Sequence, residues 1–226
     1  VTGTLYGIGV GPGDAELLTL KAVRLIQSCP VLVWPAPLEG EGLARTIAAP
    51  HVPPGKTEIA IRLSFRPERD DTDRAYDAAA ETIAGHLAAG RDVAVLCEGD
   101  PLFFGSFIYV LTRLRDRFPV EVVPGIASPM AAASVALRPL STLEDAVAII
   151  PATRAEAEIE RLLAAAESAV IMKVGRHLPK VRRVLDRLGR TANALVVERA
   201  TQDRQRLIPL AELAEAPYFS LILVQS

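Results

Sequence analysis

The sequence predicts an α/β protein built from two domains, and three observations carry that reading. Short apolar runs, such as residues 31–34, 92–97 and 120–123, alternate with longer stretches whose apolar residues recur at helical spacing. Aromatic residues make up only 5% of a chain that is 50% hydrophobic, so Ala, Val, Leu and Ile must fill the interior, as they do where helices pack on buried sheets. The pattern then restarts after Arg138-Pro139-Leu140-Ser141, which places a domain boundary there and divides the chain into 1–138 and 139–226. A length of 226 residues suits two modest α/β domains, each with its own core.

Taken in order, residues 4–10 read as a strand in which Gly7 and Gly9 alternate with Tyr6, Ile8 and Val10, and the glycines continue at Gly11 and Gly13. One face of that strand is nearly bare backbone, which implies close approach by another group. Pro12-Gly13 breaks the strand and Asp14 is placed as an N-cap. Leu18, Ala22, Leu25 and Ile26 then share a helical stripe that stops before Pro30. A strand at 31–34, a helix around 42–49 and a strand at 58–63 follow. The charged stretch 66–74 reads as a solvated loop and helix start, with a substrate rim as the weaker alternative. From Thr72 a long amphipathic helix turns Tyr76, Ala79, Ala80, Ile83 and Leu87 inward and is capped by Gly90.

The strand at 92–97 comes next, and it carries Glu98, Gly99, Asp100 and Pro101 at its carboxyl end, where open α/β sheets bind ligands. The plain alternative is a strand-to-helix connection in which Asp100 caps the next helix. A helix at 107–117 and a strand at 120–123 lead to the Pro124-Gly125 break. There Ser128 as N-cap and Pro129 at the first helical position open a helix of small residues. In the second half, strands at 146–150, 169–174 and 194–198 alternate with helices at 156–166 and 179–188. The last two strand candidates, 206–210 and 218–224, have no helix between them and are expected to pair as a hairpin.

Composition narrows the function. A formal net charge of -2 offers no global attraction to nucleic acid or an anionic membrane, so neither is expected as a partner. No apolar run is long enough to span a bilayer and the first residues lack a basic signal-peptide pattern, so the expectation is a cytoplasmic protein. Cys29 and Cys97 lack metal-site or disulfide spacing and read as packing residues; three scattered histidines suggest no metal site. A dinucleotide G-x-G-x-x-G cannot be laid on the first glycines, because its third position falls on Pro12 or Asp14, and no phosphate loop of the G-x-x-x-x-G-K type is present.

The segments YGIGVGPGDAELLTLKA, CEGDPLFFGS, VVPGIAS, MKVGRH and ERATQDRQ resemble, in order, the signature segments of the tetrapyrrole methyltransferases. The resemblance runs from Leu5 to the end of the chain. It implies two α/β domains with S-adenosylmethionine folded into the cleft between them, a tetrapyrrole substrate, and a homodimer. The combination of GDPLFFGSFIYV, VGRHLPKV and PYFSLILV is most similar to the branch that methylates C20 of precorrin-2, giving precorrin-3A in cobalamin biosynthesis. The alternatives are a relative acting on the cobalt-loaded ring or another ring carbon, and, in a different class, a carrier that binds the same ligands without turnover. The chain departs from a Tyr-Ser-Thr-Phe run often found after the Gly-Asp-Pro turn, reading Phe104, Gly105, Ser106, Phe107 instead, and residues 62–73 also diverge.

Carried over from the family, the cofactor positions are Pro12, Gly99, Asp100, Pro101, Ala127 and Ser128, with Val174, Ala200 and Leu221 from the second domain. Asp100 is implied as an acceptor near the cofactor's amino group or a hydroxyl. Lys173, Arg176 and Arg199 are candidates for the substrate's carboxylates. No catalytic residue is assigned. Tyr6, Glu98 and Tyr109 are the polar side chains considered for the leaving proton, each with a structural role as the simpler reading.

Overall fold

The computed structural model describes residues 1–64 and 69–225. Of the charged stretch 66–74, residues 66–68 lie outside the described residues, as does that part of the divergent segment 62–73.

The chain packs as two compact units, Val1–Ala127 and Ser128–Ser226. In the first unit, β1 (Leu5–Gly9), β2 (Val31–Pro37), β3 (Thr57–Leu63), β4 (Val93–Cys97) and β5 (Val120–Val123) form a sheet in the order β3-β2-β4-β1-β5. Every pairing in it is parallel. Helices cover both faces, as a parallel sheet requires. Along β4 the alternation is strict: Val93, Val95 and Cys97 join the cluster under α3 (Arg69–Ala88) and α4 (Phe107–Leu114). Ala94 and Leu96 join the cluster under α1 (Leu20–Ser28) and α2 (Leu43–Ala48). An apolar residue at every position of β4 is thus explained by its burial on two sides.

The first helix begins later than the sequence suggests. Asp14 accepts a hydrogen bond from the Glu16 amide at 2.8 Å and caps only a single 3-10 turn, residues 15–17. Thr19 is the N-cap of α1, its hydroxyl accepting from the Ala22 amide at 3.1 Å. Two capping residues five positions apart compete here, and the one that opens onto the uninterrupted stripe of Ala22, Leu25 and Ile26 starts the helix.

In the second unit, β6 (Val147–Pro151), β7 (Ser168–Met172), β8 (Ala194–Glu198), β9 (Arg206–Pro209) and β10 (Ser220–Val224) take the order β6-β7-β10-β8-β9. β6 and β7 are parallel, and the other pairings are antiparallel. α6 (Glu156–Ala164) and α7 (Leu178–Arg187) lie over one face, with Ile159, Leu163, Val181, Val184 and Leu185 fully buried. α5 (Ser128–Ala136) contacts β10, so this helix counts with the second unit, whereas the punctuation at 138–141 pointed to a division behind it.

The expected hairpin between the last two strands is not formed. β10 lies between β7 and β8, and β9 pairs with β8 at the edge. Burial decides the order: all five residues of β10 are buried, which only a central position satisfies, while β9 buries just Ile208. The two thiols behave as expected of packing residues, both free and buried, and burial pushes each up to about 12.

Glycines separate tight positions from open ones. A Cβ at Gly125 would lie 2.1 Å from the Gly99 carbonyl oxygen, whereas one at Gly85 on α3 meets nothing within 4 Å. Gly125→Ala is therefore expected to destabilise by about 1–3 kcal/mol. Gly85→Ala should stabilise by roughly 0.5–1 kcal/mol through helix propensity. Urea unfolding midpoints of the two variants would check both signs.

Candidate active site

The bare face of the first strand is filled by the chain itself. A Cβ on Gly7 would strike the Phe107 ring at 2.4 Å, and one on Gly9 would meet the Gly125 amide nitrogen at 2.5 Å and the Gly99 carbonyl at 2.7 Å. Past the end of β1, Gly11 and Gly99 exchange two backbone hydrogen bonds, Gly99 N–H to Gly11 O at 2.8 Å and Gly11 N–H to Gly99 O at 3.3 Å. Gly11 and Gly99 adopt φ of +78° and +64°, which glycine reaches without a steric penalty. Three loops, those following β1, β4 and β5, are locked backbone to backbone at the carboxyl edge of the first sheet.

Asp100 secures the lock. One carboxylate oxygen accepts from the Leu102 amide at 2.9 Å, forming a local turn, and the other accepts from the Gly125 amide at 3.1 Å. The residue therefore does not cap the next helix, which starts at Phe107 with Ser106 as its N-cap. Each oxygen keeps a further lone pair, so an additional donor can still be accepted. Gly105 is held as tightly as the other glycines, since its Cβ would fall 2.4 Å from the Pro101 carbonyl. Phe104 beside it takes φ +55°, a conformation that costs a bulky residue energy and clusters at functional sites. Pro12 and Pro101 are buried, while Ala127 and Ser128, after the Pro124-Gly125 break, are partly exposed.

The three proton-acceptor candidates separate. Tyr6 sits in the amino-terminal half of β1, paired with Ala94 and Glu121, well below the carboxyl edge. Burial raises its pKa, aided by the charge of Asp92. Tyr109 lies on α4, its ring stacked on Tyr76 at a 4.8 Å centroid distance. Glu98 ends β4, immediately before the Gly99 turn. Its side chain continues the row of Ala94 and Leu96 toward α2 and accepts a hydrogen bond from the Ala44 amide. It thereby satisfies one orphan donor at the start of a helix whose N-cap, Gly42, has no side chain to offer. Burial pushes this carboxyl up to about 7, opposed only by the Ala44 amide.

In the second unit, Val174, Ala200 and Leu221 are all buried, at 0%, 8% and 5% exposure. They cluster because β7 and β8 run in one direction with β10 antiparallel between them, which brings the ends of β7 and β8 and the start of β10 to one edge. Ser220, beside Leu221, has a buried hydroxyl without a hydrogen-bond partner. A buried hydroxyl without a partner costs stability, and this one stands opposite Glu198 at that edge. Lys173 and Arg199 follow directly on β7 and β8, with φ of +57° and +47°, and Thr201 has +65°. The backbone at this edge is strained at three non-glycine residues. Arg176 is exposed in the turn before α7, and burial lowers the pKa of neighbouring His177, assisted by Lys180 and Arg176.

Comparison with known proteins decides the lineage. The sequence profile described as Tetrapyrrole (Corrin/Porphyrin) Methylases matches residues 4–216. The chain belongs to the tetrapyrrole methylase family. This methylase is similar to the precorrin-2 C(20)-methyltransferase of a Sinorhizobium species, at 47% identity over 98% of this chain and 95% of the relative. It is also similar to the cobalt-precorrin-2 C(20)-methyltransferase of Salmonella typhimurium, at 29% identity over 99% and 97% of the two chains. Among solved structures, it resembles a uroporphyrin-III C-methyl transferase from Thermus thermophilus complexed with S-adenyl homocysteine, at TM-score 0.73 and 26% identity, covering 99% of this chain and 92% of that one. A cobalt precorrin-4 methyltransferase shares the fold, at TM-score 0.78 and 21% identity, covering 98% and 94%. Among the described residues of this methylase, no group of three or more His, Cys, Asp or Glu side chains could hold a metal, and no helix is long and apolar enough to cross a membrane.

Sequence reasoning found the turns but missed the glycine lock, the Ala44–Glu98 bond and the orphaned Ser220 hydroxyl. The row of glycines was a signal for the first; the others join positions with no local signature.

Two measurements follow from the carboxylates. Asp100→Ala removes the acceptor of two amides and should cost about 1.5–3 kcal/mol, whereas Asp100→Asn, which keeps one oxygen acceptor, should cost less; urea unfolding compares them. Because Glu98 binds its proton more tightly folded than unfolded, its contribution to stability is present below the ordinary glutamate value of 4.5 and is lost as pH rises to about 7. Glu98→Gln should remove that fall in a pH series of unfolding midpoints.

Proposed function

We propose that this protein methylates C20 of precorrin-2 with S-adenosylmethionine, yielding precorrin-3A and S-adenosylhomocysteine in cobalamin biosynthesis. The observation that carries the reading is near-full-length 47% identity to a relative named for that reaction. The lower identity, 29%, to a relative named for the cobalt-loaded ring supports the metal-free substrate over the cobalt form.

The residues present suit the cofactor. Pro12, Gly99, Asp100, Pro101, Ala127 and Ser128 would hold it from the first unit, and Val174, Ala200 and Leu221 from the second, largely through backbone groups. When bound, S-adenosylmethionine supplies an electrophilic methyl group, whose sulfur keeps the bonding electron pair as the electron-rich C20 forms its bond to carbon. The chain's task is positioning. Loops locked by Gly9, Gly99 and Gly125 cannot drift, and holding reactants in line is worth roughly 7–11 kcal/mol in favourable systems. Lys173, Arg176 and Arg199 would meet the substrate's carboxylates, for which guanidinium forks are well shaped. The homodimer belongs to the same proposal; exposed Leu102, Phe104, Ile108 and Tyr109 supply an apolar surface for a second copy. Cytoplasmic residence belongs to it as well.

The test is anaerobic incubation of the protein with methyl-labelled S-adenosylmethionine and either precorrin-2 or its cobalt-loaded counterpart, with the methyl located by NMR. Transfer to C20 of precorrin-2 is expected; transfer only to the cobalt-loaded ring or another carbon would overturn the substrate assignment. Binding of both ligands without S-adenosylhomocysteine would identify a carrier.

A further inference from the structure

The turn that joins β8 to β9, residues 199–205, is closed at its base by the strand pair Glu198 and Arg206. The Glu198 carboxylate, 2% exposed, meets Arg206 Nη1 at 3.4 Å. The Arg199 amide donates to the Phe219 carbonyl at 2.9 Å, which ties the turn to the start of β10. Two further backbone bonds, Gln202 N–H to Arg199 O and Gln205 N–H to Gln202 O, each 2.9 Å, fold the turn back on itself. Arg199 and Thr201 take left-handed backbone, with φ of +47° and +65°, and Ala200 stands between them. Neither arginine nor β-branched threonine favours that region, so it persists only where neighbouring bonds impose it. At Thr201 a side chain supplies one such bond: the Thr201 amide donates to Gln205 Oε1 at 2.7 Å. Only the oxygen of a carboxamide accepts an N–H, so the same contact fixes which way the Gln205 amide is turned.

We infer that Gln205 is a positioning residue for S-adenosylmethionine, acting through the backbone of Ala200 and Thr201; the inference rests on the proposed placement of the cofactor at Ala200. Alanine has no polar side-chain atom, so every hydrogen bond it offers a ligand comes from the peptide groups on either side of it. The direction of the second of these groups is set by the backbone angles of Ala200 and Thr201, and Gln205 holds Thr201. With that bond in place the turn is arranged before the cofactor arrives, and binding does not have to order it. Without it, Thr201 relaxes toward the right-handed or extended backbone that threonine prefers, and the peptide between Ala200 and Thr201 turns with it.

The location of Gln205 separates this role from a packing role. Its side chain is exposed, while Ile208 and Leu210 further along the chain carry the packing into the core of the second unit. The base of the turn is held independently, by the Glu198–Arg206 pair and by the Arg199 amide on Phe219. Loss of the carboxamide therefore leaves β9 paired with β8 and changes the turn alone.

The experiment compares wild type, Gln205→Ala and Gln205→Glu, the last keeping an oxygen acceptor at the same reach. Amide hydrogen exchange followed by NMR should show the Thr201 amide protected in wild type and Gln205→Glu and unprotected in Gln205→Ala. Calorimetric titration with S-adenosylhomocysteine should give Gln205→Ala a Kd about 2- to 10-fold weaker, the worth of one net hydrogen bond, and Gln205→Glu a Kd within about twofold of wild type. With precorrin-2 as acceptor, the KM for S-adenosylmethionine should rise in Gln205→Ala while kcat stays within about twofold of wild type. An unprotected Thr201 amide with an unchanged Kd overturns the inference. So does a lower urea midpoint for Gln205→Ala with an unchanged Kd, which is what a merely structural residue gives. A raised KM for precorrin-2 with unchanged affinity for S-adenosylhomocysteine also overturns it, and assigns the turn to the substrate through Arg199. A wild-type protein that does not bind S-adenosylhomocysteine overturns the cofactor reading and this inference together. Failure of the wild type to methylate precorrin-2 overturns the reaction reading alone, because calorimetry decides the role of Gln205 without turnover.

Discussion

Close backbone packing among Gly9, Gly99 and Gly125 is the constraint on which the carboxyl edge of the first sheet depends. A side chain at Gly9 or Gly125 would place its first carbon within 3 Å of neighbouring backbone, a separation that ordinary atoms do not tolerate. In its place the chain puts direct loop-to-loop contact, sealed by the paired hydrogen bonds of Gly11 and Gly99 and by the two amides on Asp100. Loops are normally the mobile parts of an α/β domain, and binding sites are built on them. Here their freedom is removed before any ligand arrives, so the ordering cost is met in folding rather than in binding.

The same turn illustrates how two carboxylates two residues apart acquire different chemistry. Asp100 points into backbone donors and serves geometry. Glu98 faces the α2 side of the sheet, where burial disfavours its charge and only the Ala44 amide opposes that effect. The side chain differs by one methylene, and the environment does the rest. Strand alternation is the origin of the difference: Glu98 is in register with Ala94 and Leu96, and the turn at Gly99 then redirects Asp100 toward Gly125.

The second unit reaches a comparable end by another route. Its edge is organised by the central placement of β10, which draws the ends of β7 and β8 to the same side while running against both. Left-handed backbone at Lys173, Arg199 and Thr201 concentrates strain there, and Ser220 leaves a hydroxyl unpaired beside it. Strain and an orphaned polar atom both cost stability, and the fold concentrates both at one edge.

Local pattern made much of this legible. The all-apolar run of β4, the stripe of α1 and the small-residue helix after Pro124-Gly125 are each written in consecutive residues, and the ordered signature segments carried the family, confirmed by the match over residues 4–216. What tertiary structure alone decided are relations between distant positions. Whether Leu221 belongs to an edge or a central strand, which cap wins between Asp14 and Thr19, and what fills the bare face at Gly7 all depend on packing partners far away in sequence. Sequence by itself determined the elements and the turns because propensity, capping and periodicity act over a few neighbours. The strand order, the glycine lock and the ionisation of Glu98 were left to the folded state, because burial and hydrogen bonding at a residue are set by whatever the whole fold brings beside it.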